Sequence, residues 1–216
     1  MNPSRPILCY ITDRRALASG QVLPVILAAI DAGLDLIQIR EKDLGTRDLL
    51  ALASAAVEGV REKGARSSSG PVPRIVVNDR LDVALAAGAG GVHLGGESLP
   101  AATVCTALRA HGDFWVGVSC HSPEDTAAAE AAGADYVVLG PIFETASKLP
   151  YGPPLGLGAL ERAAHGTRIP LLALGGITPG RVRSCIDAGA AGIAGVSIFQ
   201  QGSSLPERIL ELCRLR

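Results

Sequence analysis

Aromatic residues are scarce in this chain: three Phe, three Tyr and one Trp amount to 3% of 216 residues. Its hydrophobic content is nevertheless 48%. A core must therefore come from Ala, Val, Leu and Ile, as in strands buried on both faces beneath Ala-rich helices. Charge of one sign is also missing, with 20 Lys and Arg against 21 Asp and Glu. That excludes a broad basic field for nucleic acid, so any anion must be held by local groups. The five cysteines (Cys9, Cys105, Cys120, Cys185 and Cys213) form no C-x-x-C pair. Neither a disulfide framework nor a zinc site is expected, and a reducing cytoplasm fits best. No apolar run approaches the roughly 20 residues that span a bilayer. The chain reaches a strand-like run by Ile7 without a basic region and signal-peptide core. No segment identifies a protein partner.

What is present is repetition. Asp31-Ala32-Gly33, Ala87-Gly88, Ala132-Gly133 and Asp187-Ala188-Gly189 each close an Ala-rich helical pattern shortly before an apolar run. Glycine just beyond a helix can take the left-handed conformation that ends it. The phrases recur roughly every 50 residues, about the length of two β/α units. Strands are predicted near 6–12, 36–40, 74–78, 91–95, 115–120, 136–142, 170–174 and 192–198. Helices are predicted near 22–32, 47–63, 81–87, 101–110, 123–132, 156–164, 179–188 and 206–214. Pro123 and Pro179 fall in first helical turns, with Ser122 and Thr178 before them as expected caps. This alternation predicts a single (β/α)8 TIM barrel spanning residues 1–216.

In such a barrel the strand C-termini and following loops form the active face. The corresponding positions are Gln38, Arg40, Lys42, Asn78, Asp79, His93, Ser119, His121, Thr145, Ser147, Lys148, Gly175, Gly176 and Ser197. Arg40, Lys42 and Lys148 can share a diphosphate, Arg through a directed fork and Lys as a mobile charge. Asp79 beside them suits Mg²⁺, a hard cation usually held by one or two carboxylates plus substrate phosphate oxygens. Alternatively, Asp79 caps the helix that follows. Gly175-Gly176 after the seventh strand and Ser197 near the eighth suit a phosphate approached by backbone N–H groups. His93 reads either as a buried, hydrogen-bonded core residue or as a substrate contact. His121 reads either as an acid–base group at the mouth or as a solvated loop residue.

Several segments resemble the superfamily of thiamine phosphate synthase and TenI-like thiazole tautomerase over nearly the whole chain. They are Gln38-Ile39-Arg40-Glu41-Lys42, Asn78-Asp79, His93-Leu94-Gly95, Gly117-Val118-Ser119, Gly140 through Lys148, Gly175-Gly176-Ile177 and Val196-Ser197. The resemblance to the synthase implies two small-molecule substrates, hydroxymethylpyrimidine diphosphate and a hydroxyethylthiazole phosphate. Gln38, Arg40, Lys42, Asn78, Ser119 and Lys148 would then bind the diphosphate, with Ile39 and Glu41 included in the same segment. Thr145, Ala146, Ser147, Gly176, Val196 and Ser197 would bind the thiazole phosphate, and Asp79 would hold Mg²⁺. Arg40, Lys42, Ser119, Lys148 and His121 form the candidate catalytic set. One position departs from the pattern. The synthase-like H-x-G-Q-x-D becomes His93-Leu94-Gly95-Gly96-Glu97-Ser98, so Ser98 replaces a second carboxylate. Glu97 could reach the metal, waters could fill the place, or metal binding could be lost. Tautomerases often lack that carboxylate, and their general acid lies in a loop resembling Ser119-Cys120-His121-Ser122. This leaves an isomerase as the alternative, but the intact diphosphate set favours the synthase. A non-catalytic barrel binding a phosphorylated metabolite is the third reading.

Overall fold

The computed structural model describes residues 5–66, 72–108, 112–145, 153–200 and 204–214. Eight parallel strands close into one barrel in chain order. They are β1 (Ile7–Ile11), β2 (Leu36–Ile39), β3 (Arg74–Asn78), β4 (Gly91–Leu94), β5 (Trp115–Cys120), β6 (Tyr136–Leu139), β7 (Leu171–Leu174) and β8 (Gly192–Gly195). Between them run α1 (Val22–Ala32), α2 (Thr46–Arg66), α3 (Leu81–Ala86), α4 (Ala101–Leu108), α5 (Pro123–Ala131), α6 (Gly156–Gly166) and α7 (Pro179–Asp187). After the last strand come α8 (Ser197–Gln200) and α9 (Leu205–Arg214). A short 3-10 turn, Arg14–Ala16, follows β1. The predicted (β/α)8 barrel is the fold observed.

The repeated glycines do what their spacing suggests. Gly33, Gly88, Gly133 and Gly189 all have positive φ, between 66° and 93°. Gly33 turns its N–H back onto Ala29 and Ile30, ending α1. The two barrel halves also share an anchor. Asp35 accepts the Leu8 N–H at 3.0 Å, and Asp135 accepts the Val116 N–H at 2.7 Å. Each carboxylate thus ties the base of one strand to the start of the next.

Ser122 caps α5 as predicted, accepting from Asp125 N at 3.0 Å, whereas Thr178 makes no side-chain capping bond. Two strands stop three residues earlier than predicted. β6 ends at Leu139, because Pro141 has no N–H to continue the ladder. β8 ends at Gly195, and the Val196 carbonyl instead accepts from Phe199 and Gln200, starting α8.

Side-chain alternation along the strands divides the core into two layers. Ile37, Ile39, Val77, Val92, Val116, Val137 and Ile193 face the helices and form most of the buried apolar mass. Inside the barrel, Cys9, Ile11, Leu36, Val76, Tyr136, Val138, Leu172 and Ala194 form a smaller cluster. The interior is narrow, and Gly117 makes room for Tyr136: a Cβ at 117 would lie 2.1 Å from the tyrosine ring. The C-terminal end of this interior opens into a cavity.

Candidate active site

The cavity has a volume of about 560 Å³, enough for a small phosphorylated ligand. Its side nearest β2 is set by a period of two. Gln38, Arg40 and Lys42 line the cavity. Ile39 and Glu41, also expected among the substrate contacts, do not. Ile39 is fully buried toward the helices. Glu41 folds away, and its carboxylate accepts the Arg14 N–H at 3.1–3.2 Å and a bond from the Thr12 side chain. Burial raises the Glu41 pKa against the opposing pull of those bonds. Thr12, fully buried, also accepts the Arg40 N–H at 2.9 Å. Glu41 and Thr12 therefore pin the loop that carries Arg40 and Lys42 to the loop after β1. Gln38 is 2% exposed, and among the described residues its Nε2 has no partner.

Asn78 and Asp79 stand at the end of β3. Asp79 has φ 61°, a left-handed conformation that Asp tolerates better than most residues. Its N–H donates to the His93 carbonyl at 2.8 Å, tying the turn to β4. The alternative capping role is absent: α3 starts without a side-chain cap. Instead, Asp79 Oδ2 accepts from Asn78 Nδ2 at 2.6 Å. Its Oδ1 accepts from the Gly95 N–H at 3.1 Å and from the Ser98 hydroxyl. Burial pushes the Asp79 carboxyl upward. The Ser98 and Gly95 bonds, the Lys42 charge and the Asn78 amide outweigh it and hold the pKa below the ordinary carboxylate range.

His93 is the buried, hydrogen-bonded residue of its two readings. Nδ1 lies 3.0 Å from the Tyr136 hydroxyl and Nε2 2.9 Å from Ser119 Oγ. Burial lowers its pKa to about 4, with Arg40 adding and Asp79 opposing. The ring is neutral near pH 7, so one nitrogen donates and the other accepts. Ser119, which lines the cavity, is thereby fixed from below. Tyr136 could not be read as this support from the sequence, because 43 residues separate it from His93.

His121 is exposed at the rim and lines the cavity. Its Nδ1 lies 2.7 Å from the Gly140 carbonyl, which only accepts, so that nitrogen carries the proton. Its backbone N–H donates to the Asp125 side chain at 2.8 Å, while Ser122 Oγ accepts the Asp125 N–H, so the first turn of α5 holds His121 in place. In the neutral ring Nε2 is therefore the basic nitrogen.

Across the mouth lie Thr145, Gly175, Gly176, Val196 and Ser197. Gly175 and Gly176 have φ 95° and 62°. A Cβ on Gly176 would sit 2.5 Å from the Glu144 carbonyl, so both conformation and space require glycine there. Arg181 braces this turn, donating to the Gly176 carbonyl at 2.8 Å while its guanidinium lies 4.6 Å over the Phe143 ring. Ala146, Ser147 and Lys148, the remaining predicted contacts, lie outside the described residues. Asp13 also lines the cavity; it directly follows the first predicted strand, so the strand-end pattern that marks the other positions could have found it.

Among the described residues two carboxylates line the cavity, Asp79 and Asp13, and Asp13 already accepts the Arg15 N–H at 3.1 Å as the cap of the turn after β1. Glu97 is exposed and does not line the cavity. Among the described residues, no group of three or more His, Cys, Asp or Glu is arranged around a common point. Asp79 alone fits a magnesium ion whose other ligands are diphosphate oxygens and water.

Comparison with known proteins gives a consistent result. The chain is 43% identical to thiamine-phosphate synthase of Chlorobium phaeovibrioides over 91% of its length and 88% of that protein. It is 40% identical to the enzyme of that name from Roseiflexus sp. strain RS-1, covering 88% of this chain and 77% of the other. A solved thiamine phosphate pyrophosphorylase from Pyrococcus furiosus superposes with a TM-score of 0.81 at 30% identity, covering 96% of this chain and 94% of that one. The family model described as thiamine monophosphate synthase matches residues 8–199, and the chain belongs to that family.

Proposed function

We propose that the protein condenses hydroxymethylpyrimidine diphosphate with hydroxyethylthiazole phosphate, giving thiamine phosphate and pyrophosphate. The observation that carries this reading is the convergence of Gln38, Arg40, Lys42, Asn78, Asp79 and Ser119 on one wall of the cavity. Gly176, Val196 and Ser197 face them across the mouth.

Breaking the carbon–diphosphate bond leaves the electron pair and negative charge on the departing oxygen. Arg40 and Lys42 meet that charge where it develops, and Lys148 is assigned the same role from the sequence. Ser119, held by His93, offers a positioned hydroxyl to the same group. Magnesium held by Asp79 and diphosphate oxygens would add positive charge at the leaving group. The aminopyrimidine spreads the positive charge left on its methylene carbon until the thiazole nitrogen attacks. That nitrogen has no proton to lose, so the bond-forming step needs no base. Holding both partners in one cavity reduces the entropic cost of their encounter.

We place the reaction in the cytoplasm. Cys9, Cys120 and Cys185 are buried free thiols, which suits a reducing compartment. Among the described residues no helix is long and apolar enough to cross a membrane.

The test is purified protein with both substrates, with and without Mg²⁺, assayed for thiamine phosphate and pyrophosphate in equal amounts. Absence of product with Mg²⁺ present would overturn the proposal. The second reading, a thiazole tautomerase, is favoured by Ser98 at a carboxylate position and by His121 on the cavity rim. A parallel reaction with the thiazole carboxylate phosphate isomer tests it. Any isomerisation found should disappear in His121→Asn.

A further inference from the structure

Asp79 is already heavily engaged by neutral donors. An ionised carboxylate has about four lone-pair sites. Three face hydrogens from Ser98, Gly95 and Asn78. Those hydrogens point at the carboxylate from positions where a cation would coordinate it. Ser98 is itself fixed, because its oxygen accepts the Gly95 N–H at 2.7 Å while its only proton goes to Asp79. The hydroxyl can act as a metal ligand only by giving up its bond to Asp79.

The surrounding charge points the same way. Arg40 and Lys42 stand with Asp79 in the cavity lining, Lys42 acts directly on Asp79, and the other lining carboxylate, Asp13, is taken up by the Arg15 N–H. A bare divalent cation therefore finds both lining carboxylates already engaged by hydrogen bonds and meets repulsion from two basic side chains. A bound diphosphate reverses that balance. It neutralises the basic pair and supplies several hard oxygen ligands at once.

We propose that Ser98 makes magnesium binding conditional on the diphosphate. Its hydroxyl holds Asp79 Oδ1 in the free protein, so the metal is taken up together with the diphosphate group and not before it. This inference rests on the synthase reading for the identity of the anion, but its test needs neither organic substrate. Ser98 is a positioning residue here, acting through Asp79.

Mn²⁺ serves as the probe, with protein-bound metal measured by electron paramagnetic resonance on the full chain. Wild type alone should bind Mn²⁺ with a dissociation constant above about 1 mM, as a single obstructed carboxylate implies. Inorganic pyrophosphate should bind at least about tenfold more tightly with Mg²⁺ present than without it, read by calorimetry and corrected for Mg²⁺–pyrophosphate complexation in solution. Ser98→Asp removes the donor and adds a ligand, so it should bind Mn²⁺ alone at least about tenfold more tightly than wild type. Ser98→Ala should bind Mn²⁺ alone measurably more tightly than wild type, since it removes a competitor for Asp79 without adding a ligand.

Tight Mn²⁺ binding by free wild type, equal to that of Ser98→Asp, overturns the inference. Equal or weaker binding by Ser98→Ala does so too, because the hydroxyl is then either without influence or itself a ligand. If Ser98→Asp does not fold, the wild-type and Ser98→Ala measurements still decide the matter. A protein that forms thiamine phosphate yet holds Mn²⁺ without pyrophosphate loses this inference and keeps the synthase reading. Conditional metal binding without product formation does the reverse.

Discussion

The two sides of the barrel mouth meet anions by different means. On the β2–β3 side, Arg40 and Lys42 reach the cavity as charged side chains, and the structure invests in holding them. Thr12 and Glu41 pin their loop, while Asn78, Gly95 and Ser98 hold Asp79. On the β7–β8 side, Gly175 and Gly176 bring main chain to the cavity, and Arg181 serves as a brace for the turn. The difference teaches how each side should fail. A charged wall loses its function when a charge or its anchor is removed. A main-chain wall loses it when a side chain is added.

Arg40→Ala tests the charged wall most severely. Turnover should fall about 10²–10³-fold, as when a single transition-state donor is removed, with the KM for thiazole phosphate within about twofold of wild type. Equal losses for both substrates would erase the distinction between the two sides. The support beneath this wall is tested by acid. His93 is neutral when folded, with a pKa near 4, and would titrate near 6.5 when unfolded. The unfolded state therefore binds more protons between those values, and stability falls as pH drops through that window. Between pH 7 and 5 the loss should be about 2 kcal/mol by urea unfolding, and His93→Gln should remove that part of the slope. An unchanged slope in the variant would show that His93 is not the group responsible.

Gly176→Ala addresses the main-chain wall. With φ 62° and only 2.5 Å to the Glu144 carbonyl, the added methyl must shift the turn. The KM for thiazole phosphate should rise about tenfold while that for the diphosphate changes little, at about 1–3 kcal/mol cost in stability. A rise in the diphosphate KM instead would invert the assignment of the two sides. The smallest effect is expected from Arg181→Lys, which keeps the charge but loses the planar stack on Phe143. A KM change of about two- to threefold, confined to thiazole phosphate, would sharpen the comparison.

Much of this is legible in the sequence. The glycine phrases marked helix ends that do adopt positive φ, and polar residues after apolar runs marked the mouth. The same period of two that brings Gln38, Arg40 and Lys42 to the cavity also turns Ile39 and Glu41 away, so the sequence carried the information needed to exclude them. Asp79 illustrates the opposite case. Its position before a helix allows a cap as well as a ligand, and only the tertiary structure, where α3 has no side-chain cap and Asp79 turns to Ser98, Gly95 and Asn78, removes the cap. His93 was ambiguous for the same reason, since a buried polar residue is defined by partners that its own neighbours in the chain do not reveal.

Local periodicity by itself determined the alternation of strand and helix, the face each strand residue takes, and hence which residues can reach the mouth. Barrel closure and strand register decided which of them meet: Ser119 with His93 and Tyr136, Asp79 with Ser98, Glu41 with Thr12 and Arg14. The physical reason is that backbone geometry repeats every two or 3.6 residues and can be read from a short window. A hydrogen bond between distant segments exists only once the whole sheet has closed and fixed their separation.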